Sequence, residues 1–189
     1  MRIIAGIARG RRLKAPDTPA TRPATDRVRE ALFSSLGDVV VGTAVADLYA
    51  GSGSFGLEAL SRGADSAVFV ENGRRALFAL EDNIKAVGLG GKVIKSTVKA
   101  FLDRSEGQFD LVFMDPPWDQ LTSVMNEEMK LLDPLLAPGA TVVVSRRHTD
   151  PDPDPPQNWR VAAEKRYGDT KIFRYLKAHH DEGPVPWEF

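Results

Sequence analysis

A length of 189 residues suits one α/β domain with a sizeable core, and a formal net charge of -1 excludes a molecule that is polycationic throughout. Cysteine is absent and the three histidines, His148, His179 and His180, have no ligand-like spacing. That excludes thiol nucleophiles, iron–sulfur clusters and disulfides, and argues against a metal site. With no apolar run of membrane length and no signal-like start, a soluble cytoplasmic protein is expected.

The charge is unevenly placed. Residues 1 to 30 hold eight bases (Arg2, Arg9, Arg11, Arg12, Lys14, Arg22, Arg27, Arg29) against three acids, the footprint of a polyanion-binding end. Residues 2 to 14 read as a short basic hairpin with glycines at 6 and 10 and too little apolar surface for a core of its own. A helix follows, with Val28, Leu32 and Leu36 at helical spacing, Asp26 as N-cap, and Arg27 and Arg29 off the apolar stripe and free for phosphate. Residues 1–37 form an N-terminal extension on this reading, 38–178 the main domain, and 179–189 a tail.

Thr43 to Leu48 predicts the first core strand, and Tyr49-Ala-Gly-Ser-Gly-Ser-Phe-Gly56 then opens a helix. Strand, glycine turn, helix is the nucleotide-binding βα unit, and Gly51, Gly53 and Gly56 match G-x-G-x-x-G, a pattern that would equally announce a dinucleotide. Asp47 tilts the choice: a pyrophosphate on the loop would be repelled by it, whereas the amino and sulfonium groups of S-adenosylmethionine (SAM) would be attracted. Ser66 to Val70 is the second strand, ending in Glu71 where an acid takes the ribose hydroxyls; Asn72 is placed to cap the next helix. After a short third strand, Lys92 to Lys95, Thr97-Val98 stands where an adenine edge would be read.

Phe109 to Met114 predicts a buried parallel strand that delivers Asp115-Pro116-Pro117-Trp118. Two prolines make a stiff corner in which the Pro116 carbonyl has no ladder partner, so a carboxylate, a free carbonyl and a flat ring meet at a carboxyl strand end. Two acceptors and a stacking face suit the exocyclic amine of a nucleobase. Asp119 is read as the cap of a helix, Pro138-Gly139 as a turn into strand Thr141 to Ser145, and the proline-rich stretch Asp150 to Pro156 as a missing crossover helix. Trp159 to Lys165 and Lys171 to Lys177 form a closing antiparallel hairpin. The expected fold is α/β: a doubly wound, mostly parallel seven-stranded sheet of Rossmann-like type with an antiparallel edge.

The chain resembles the class I SAM-dependent methyltransferases and, more narrowly, the RsmD-type bacterial family that methylates N2 of a guanine in small-subunit ribosomal RNA. The resemblance runs from Arg2 to about Leu176. It is carried by Arg2-Ile-Ile-x-Gly6, Gly10-Arg11-x-Leu13, Arg22-Pro-x-Thr25-Asp-Arg27-Val-Arg29-Glu-Ala-Leu-Phe33, Asp47-Leu-x-Ala-Gly-Ser-Gly53, Gly56-x-Glu-Ala-Leu-Ser-Arg62, Asp115-Pro-Pro117 and Tyr167-Gly-x-Thr170. Trp118 stands where the family more often has Phe or Tyr, Thr97 where many members have Asp or Asn, and Ser145-Arg146-Arg147 where a segment usually contains Glu. The resemblance implies Asp115, Pro116 and Trp118 as the catalytic corner. It also implies SAM contacts from Asp47, Tyr49, Gly51, Ser52, Gly53, Glu71, Asn72, Thr97, Val98 and Asp115, and RNA contacts from Arg9, Arg11, Arg12, Lys14, Arg22, Thr25, Arg27 and Arg29. The implied partner is 16S ribosomal RNA within a small-subunit particle, for a monomer without metal. Adenine-N6 methylation, glutamine-N5 methylation and a non-catalytic RNA-binding or assembly factor with a SAM pocket stand as alternatives.

Overall fold

In the computed structural model, which describes residues 1–16 and 26–179, the alternation of apolar runs and helical stripes gives a seven-stranded sheet of order β3-β2-β1-β4-β5-β7-β6. The strands are β1 (Ala44–Leu48), β2 (Ser66–Glu71), β3 (Lys92–Lys95), β4 (Phe109–Met114), β5 (Leu136–Arg147), β6 (Trp159–Tyr167) and β7 (Thr170–Lys177). The first five are parallel, and the β6–β7 hairpin closes the edge antiparallel to β5. Helices α1 (Asp26–Leu36), α2 (Ser54–Ser61) and α3 (Arg74–Val87) cover one face, and α4 (Val98–Leu102) and α5 (Thr122–Leu132) the other. The period-2 alternation of a strand sorts β4 accordingly: Leu111 and Phe113 enter the first core, Val112 and Met114 the second. Among the described residues no helix is long and apolar enough to cross a membrane.

Several local expectations are corrected. Asp26 is the first residue of α1, not its cap, and pairs with Arg29 at 3.1 Å. The residue capping α3 is Gly73 and not Asn72, and Leu121, not Asp119, precedes α5. A short helix, α4, was not expected; Thr97 caps it by accepting from the Ala100 N–H at 3.2 Å. Pro138-Gly139 does not end a turn before β5 but lies inside a longer strand, where the pairing slips between Phe109↔Leu136 and Leu111↔Thr141; the missing N–H of Pro138 is tolerated at such a bulge. No helix replaces the stretch from Pro151 to Pro156.

The N-terminal basic segment is a loop closed by one antiparallel bridge, Arg2↔Arg12, and it is inlaid into the domain. Ile3, Ala8 and Leu13 are buried in the same apolar cluster as Phe33, Leu57 and Leu60. The stretch Glu58 to Arg62 on α2 is its dock. Fully buried Glu58 accepts the N–H groups of Ile4 (2.8 Å) and Ala5 (3.1 Å), while the Ser61 hydroxyl donates to the Ala5 carbonyl (2.6 Å) and accepts from the Ala8 N–H (3.0 Å). Glycine is required at position 6, where φ is +82° and a Cβ would fall 1.7 Å from the Ser61 carbonyl oxygen.

Candidate active site

The carboxyl ends of β1, β2 and β4 bring three acids into one cleft, as expected at the switch point of an open α/β sheet. Asp47 is buried and its Oδ2 accepts the Gly56 N–H at 2.9 Å, across the glycine turn. Burial pushes its carboxyl well above the ordinary range, against the pull of that hydrogen bond, and the charges of Asp115 and Glu71 push it further. Burial likewise raises Asp115 to about 6, opposed by a hydrogen bond from the Ser145 hydroxyl on the neighbouring strand. Glu71 binds the loop itself: its two oxygens accept the N–H groups of Gly51 (2.8 Å), Asn72 (2.9 Å) and Gly73 (2.6 Å). Among the described residues none of these three carboxylates forms an ion pair with a lysine or arginine.

The loop between β1 and α2 is shaped for a close approach. Gly53 adopts φ +80°, and a Cβ there would meet Leu80 at 2.5 Å; at Gly51, φ +57°, the Cβ direction is open, with its nearest neighbour 4.0 Å away. Ser52 is buried, its hydroxyl near the Met1 sulfur and its carbonyl accepting from Asn83 (2.9 Å). Tyr49 has φ 64°, a conformation that costs a non-glycine residue about 1–3 kcal/mol and clusters at ligand clamps. Its hydroxyl donates to Glu128 on α5 and accepts from the Gln120 amide at 2.6 Å, so the phenol serves a polar network that spans the glycine loop and the corner after β4. Burial, then the hydrogen bond to Glu128, raises the Tyr49 phenol; burial raises Glu128 as well.

Asp115-Pro116-Pro117-Trp118 leaves the sheet directly after β4. Asp115 and Trp118 are half-buried, Pro116 is buried, and the Pro116 carbonyl takes no hydrogen bond among the described residues, whereas the Pro117 carbonyl accepts from the Gln120 N–H at 3.0 Å. Glu71, Asn72, Thr97 and Val98 follow in sequence at the ends of β2 and β3. Asn72 is exposed, Val98 is buried in the second core, and the Thr97 oxygen is engaged in its cap.

The basic residues divide sharply. Arg29 is fully buried, not free for phosphate: it donates to the Arg2 carbonyl and pairs with Asp26 and Glu58, because the N-terminal loop covers the helix face that the apolar stripe left out. Arg11 caps the end of α3 through the Ala86 and Val87 carbonyls (both 2.7 Å), and Lys14 pairs with Asp82 (2.7 Å). Arg9, Arg12 and Arg27 are exposed without an ion pair among the described residues. Arg22 and Thr25 lie outside the described residues. Sequence reasoning assigned no role to Glu58, Asn83, Gln120, Glu128 or Arg147; of these Glu58 carried a signal as part of the resemblance motif, and Arg147 as part of a segment that departs from the family pattern.

The chain is 37% identical over 185 residues to ribosomal RNA small subunit methyltransferase D of Escherichia coli strain K12, covering 96% of this chain and 92% of the relative. It is 34% identical to the protein of the same name from Haemophilus influenzae, over 89% of both chains. The solved structure of Escherichia coli yhhF superposes with a TM-score of 0.85 at 36% identity, over 95% of this chain and 99% of that one. The family described as conserved hypothetical protein 95 matches residues 1–176. With fold, cleft and full-length similarity in agreement, the chain belongs to that family, the RsmD-type methyltransferases.

Proposed function

We propose that this protein transfers a methyl group from SAM to the exocyclic N2 amine of a guanine in 16S ribosomal RNA of the small subunit. The observation that carries the proposal is the corner itself: a carboxylate, an unclaimed carbonyl and an aromatic face at the end of β4, beside the glycine loop of β1. The residues fit SAM. Three carboxyl groups without a basic partner, whose ionisation a bound cation would favour, suit an amino group, a sulfonium and ribose hydroxyls, and are unsuited to a pyrophosphate. Bound there, SAM supplies an electrophilic methyl whose departure leaves the electron pair on sulfur. Asp47 would hold the amino acid end, Glu71 the ribose and the Gly51–Gly53 turn the backbone approach.

The target base must leave its stack to present the amine. Asp115 and the Pro116 carbonyl then accept the two N–H bonds, which favours the pyramidal nitrogen, and Trp118 stacks on the base for about 1 to 3 kcal/mol. As the N–C bond forms, nitrogen sheds one proton toward Asp115 and thence to solvent. Arg9, Arg12 and Arg27 are the cations free to meet phosphate.

Labelled SAM incubated with methyl-deficient small subunits, free RNA and DNA, followed by nucleoside analysis, tests the assignment. N2-methylguanosine from subunits is expected; N6-methyladenosine or labelled protein overturns the guanine assignment.

Asp115 must be ionised to accept its N–H bond and then take the departing proton, so kcat/KM should rise with pH through about 6 and then level, falling about tenfold per unit on the acid side. A flat profile from about pH 5 to pH 8 argues against this role. Asp47 gives a second linkage: a cation seated beside a carboxyl of raised pKa favours ionisation, so SAM binding should release protons. Calorimetry in buffers of different ionisation enthalpy should detect this, with Asp47→Asn abolishing the buffer dependence and weakening binding; tight NAD binding by the wild type would defeat the cofactor assignment.

A further inference from the structure

We infer that Arg147 is the specificity-determining residue that reads the O6/N7 edge of the target purine; this rests on the guanine-N2 proposal and deepens it. Val144 pairs with Met114, which puts Ser145 level with Asp115, and the Ser145 hydroxyl bonds to that carboxylate. Two residues further along β5, on the same face by strand alternation and roughly 6.6 Å away, stands Arg147. Its guanidinium lies over the Trp118 ring, 4.6 Å from the centroid. The neighbouring Arg146, on the other face, is spent on the Gln120 carbonyl and Asp150 (both 2.8 Å). Arg147 by contrast forms no ion pair among the described residues, and its Nε is buried without a hydrogen-bond partner.

A guanidinium parked on an aromatic face with donors to spare is poised to give them to a ligand that stacks there. In guanine, N2 lies at one end of the base and O6 with N7 at the other. A base whose N2 meets Asp115 therefore extends across Trp118 toward Arg147. The planar fork matches O6 and N7 bidentately, and such a contact chooses guanine because adenine presents its N6 donor at the same place. In the free protein the ring keeps the cation in place; when the base stacks, the guanidinium moves from ring face to base edge. Acceptor groups (Asp115, Pro116) at one end of the base and a donor fork at the other would orient it uniquely.

The test uses small-subunit RNA ligated to carry 2-aminopurine at the nucleotide the wild type methylates, assembled into particles and compared with guanine particles in single-turnover methyl transfer. 2-Aminopurine keeps the N2 amine but lacks O6; it also lacks the N1 hydrogen, a loss common to all variants that cancels when preferences are compared. Wild type should prefer guanine by about 100-fold or more. Arg147→Ala should reduce that preference about 10- to 100-fold by slowing guanine far more than 2-aminopurine, which keeps only the N7 acceptor of the pair, and Arg147→Lys, charged but without the fork, should fall between. Undiminished discrimination by Arg147→Ala, or equal slowing of both substrates, overturns the inference while the guanine-N2 assignment stands. If wild type yields no N2-methylguanosine, that assignment fails first.

Discussion

Replacing Asp115 by alanine is expected to slow single-turnover methyl transfer about 100- to 1,000-fold, equivalent to about 2.7 to 4 kcal/mol, with the fold and RNA binding nearly intact. The carboxylate is held ready by the Ser145 hydroxyl and has no cation among the described residues to satisfy it, so its acceptor capacity is reserved for the substrate amine. Its contact strengthens as nitrogen pyramidalises, and an interaction made chiefly in the transition state shows in kcat more than in KM. Removing a carboxylate that raises the Asp47 pKa should also return Asp47 toward its ordinary value, giving a modest change in the protons released on SAM binding. The measurement is methyl transfer at saturating SAM and subunit. A rate within about threefold of wild type would remove this corner from the chemistry.

Backbone-encoded features were legible in the sequence: five parallel strands, the glycine turn and the Asp115-Pro-Pro-Trp118 corner all depend on local patterns of apolar residues, glycine and proline. What escaped depends on tertiary partners. Arg29 follows Val28 on α1 and looks solvated on a helical wheel, yet a loop with no helical or strand periodicity, burying Ile3, Ala8 and Leu13, closes over it. Glu58 lies on a helix whose eight residues are all buried, so no amphipathic pattern marks its side chain as inward. The strained Tyr49 backbone and its ties to Gln120 and Glu128 join residues 71 and 79 positions apart, a separation that local spacing cannot reveal. In β5, Pro138-Gly139 carried a genuine turn signal, but pairing with β4 on both sides of it converted the turn into a bulge.

Glu58→Ala should be strongly destabilising, by about 3–5 kcal/mol, because it strips the buried Arg29 and the half-covered Arg62 of a shared counter-ion. Arg29 is fully buried, and burial already lowers its pKa against the pull of Asp26 and Glu58; its Nε and Nη1 have no hydrogen-bond partner. Without Glu58 its partners among the described residues are Asp26 and the Arg2 carbonyl. The Ile4 and Ala5 N–H groups lose their acceptor in the same step, and an orphaned buried donor costs about 1–3 kcal/mol, though these costs share one carboxylate and do not add. At this chain length the loss corresponds to a fall in Tm of about 6–20 °C. The N-terminal loop should loosen first and take with it the Lys14 backbone bonds to Asn83, the residue that also holds the Ser52 carbonyl of the glycine turn. Hydrogen exchange should therefore rise at residues 3 to 8 before it rises in the sheet, and SAM affinity should weaken although no cleft residue has changed. Replacing both partners by apolar residues of similar volume, Glu58→Met with Arg29→Met, should recover the share of the stability lost to the unpaired Arg29 charge, while the Ile4 and Ala5 N–H groups stay without their acceptor. Thermal melts of wild type and the two variants decide it: a Glu58→Ala protein that melts within about 2 °C of wild type, or a double variant no more stable than the single one, would show that this buried network does not fasten the N-terminal loop to the domain.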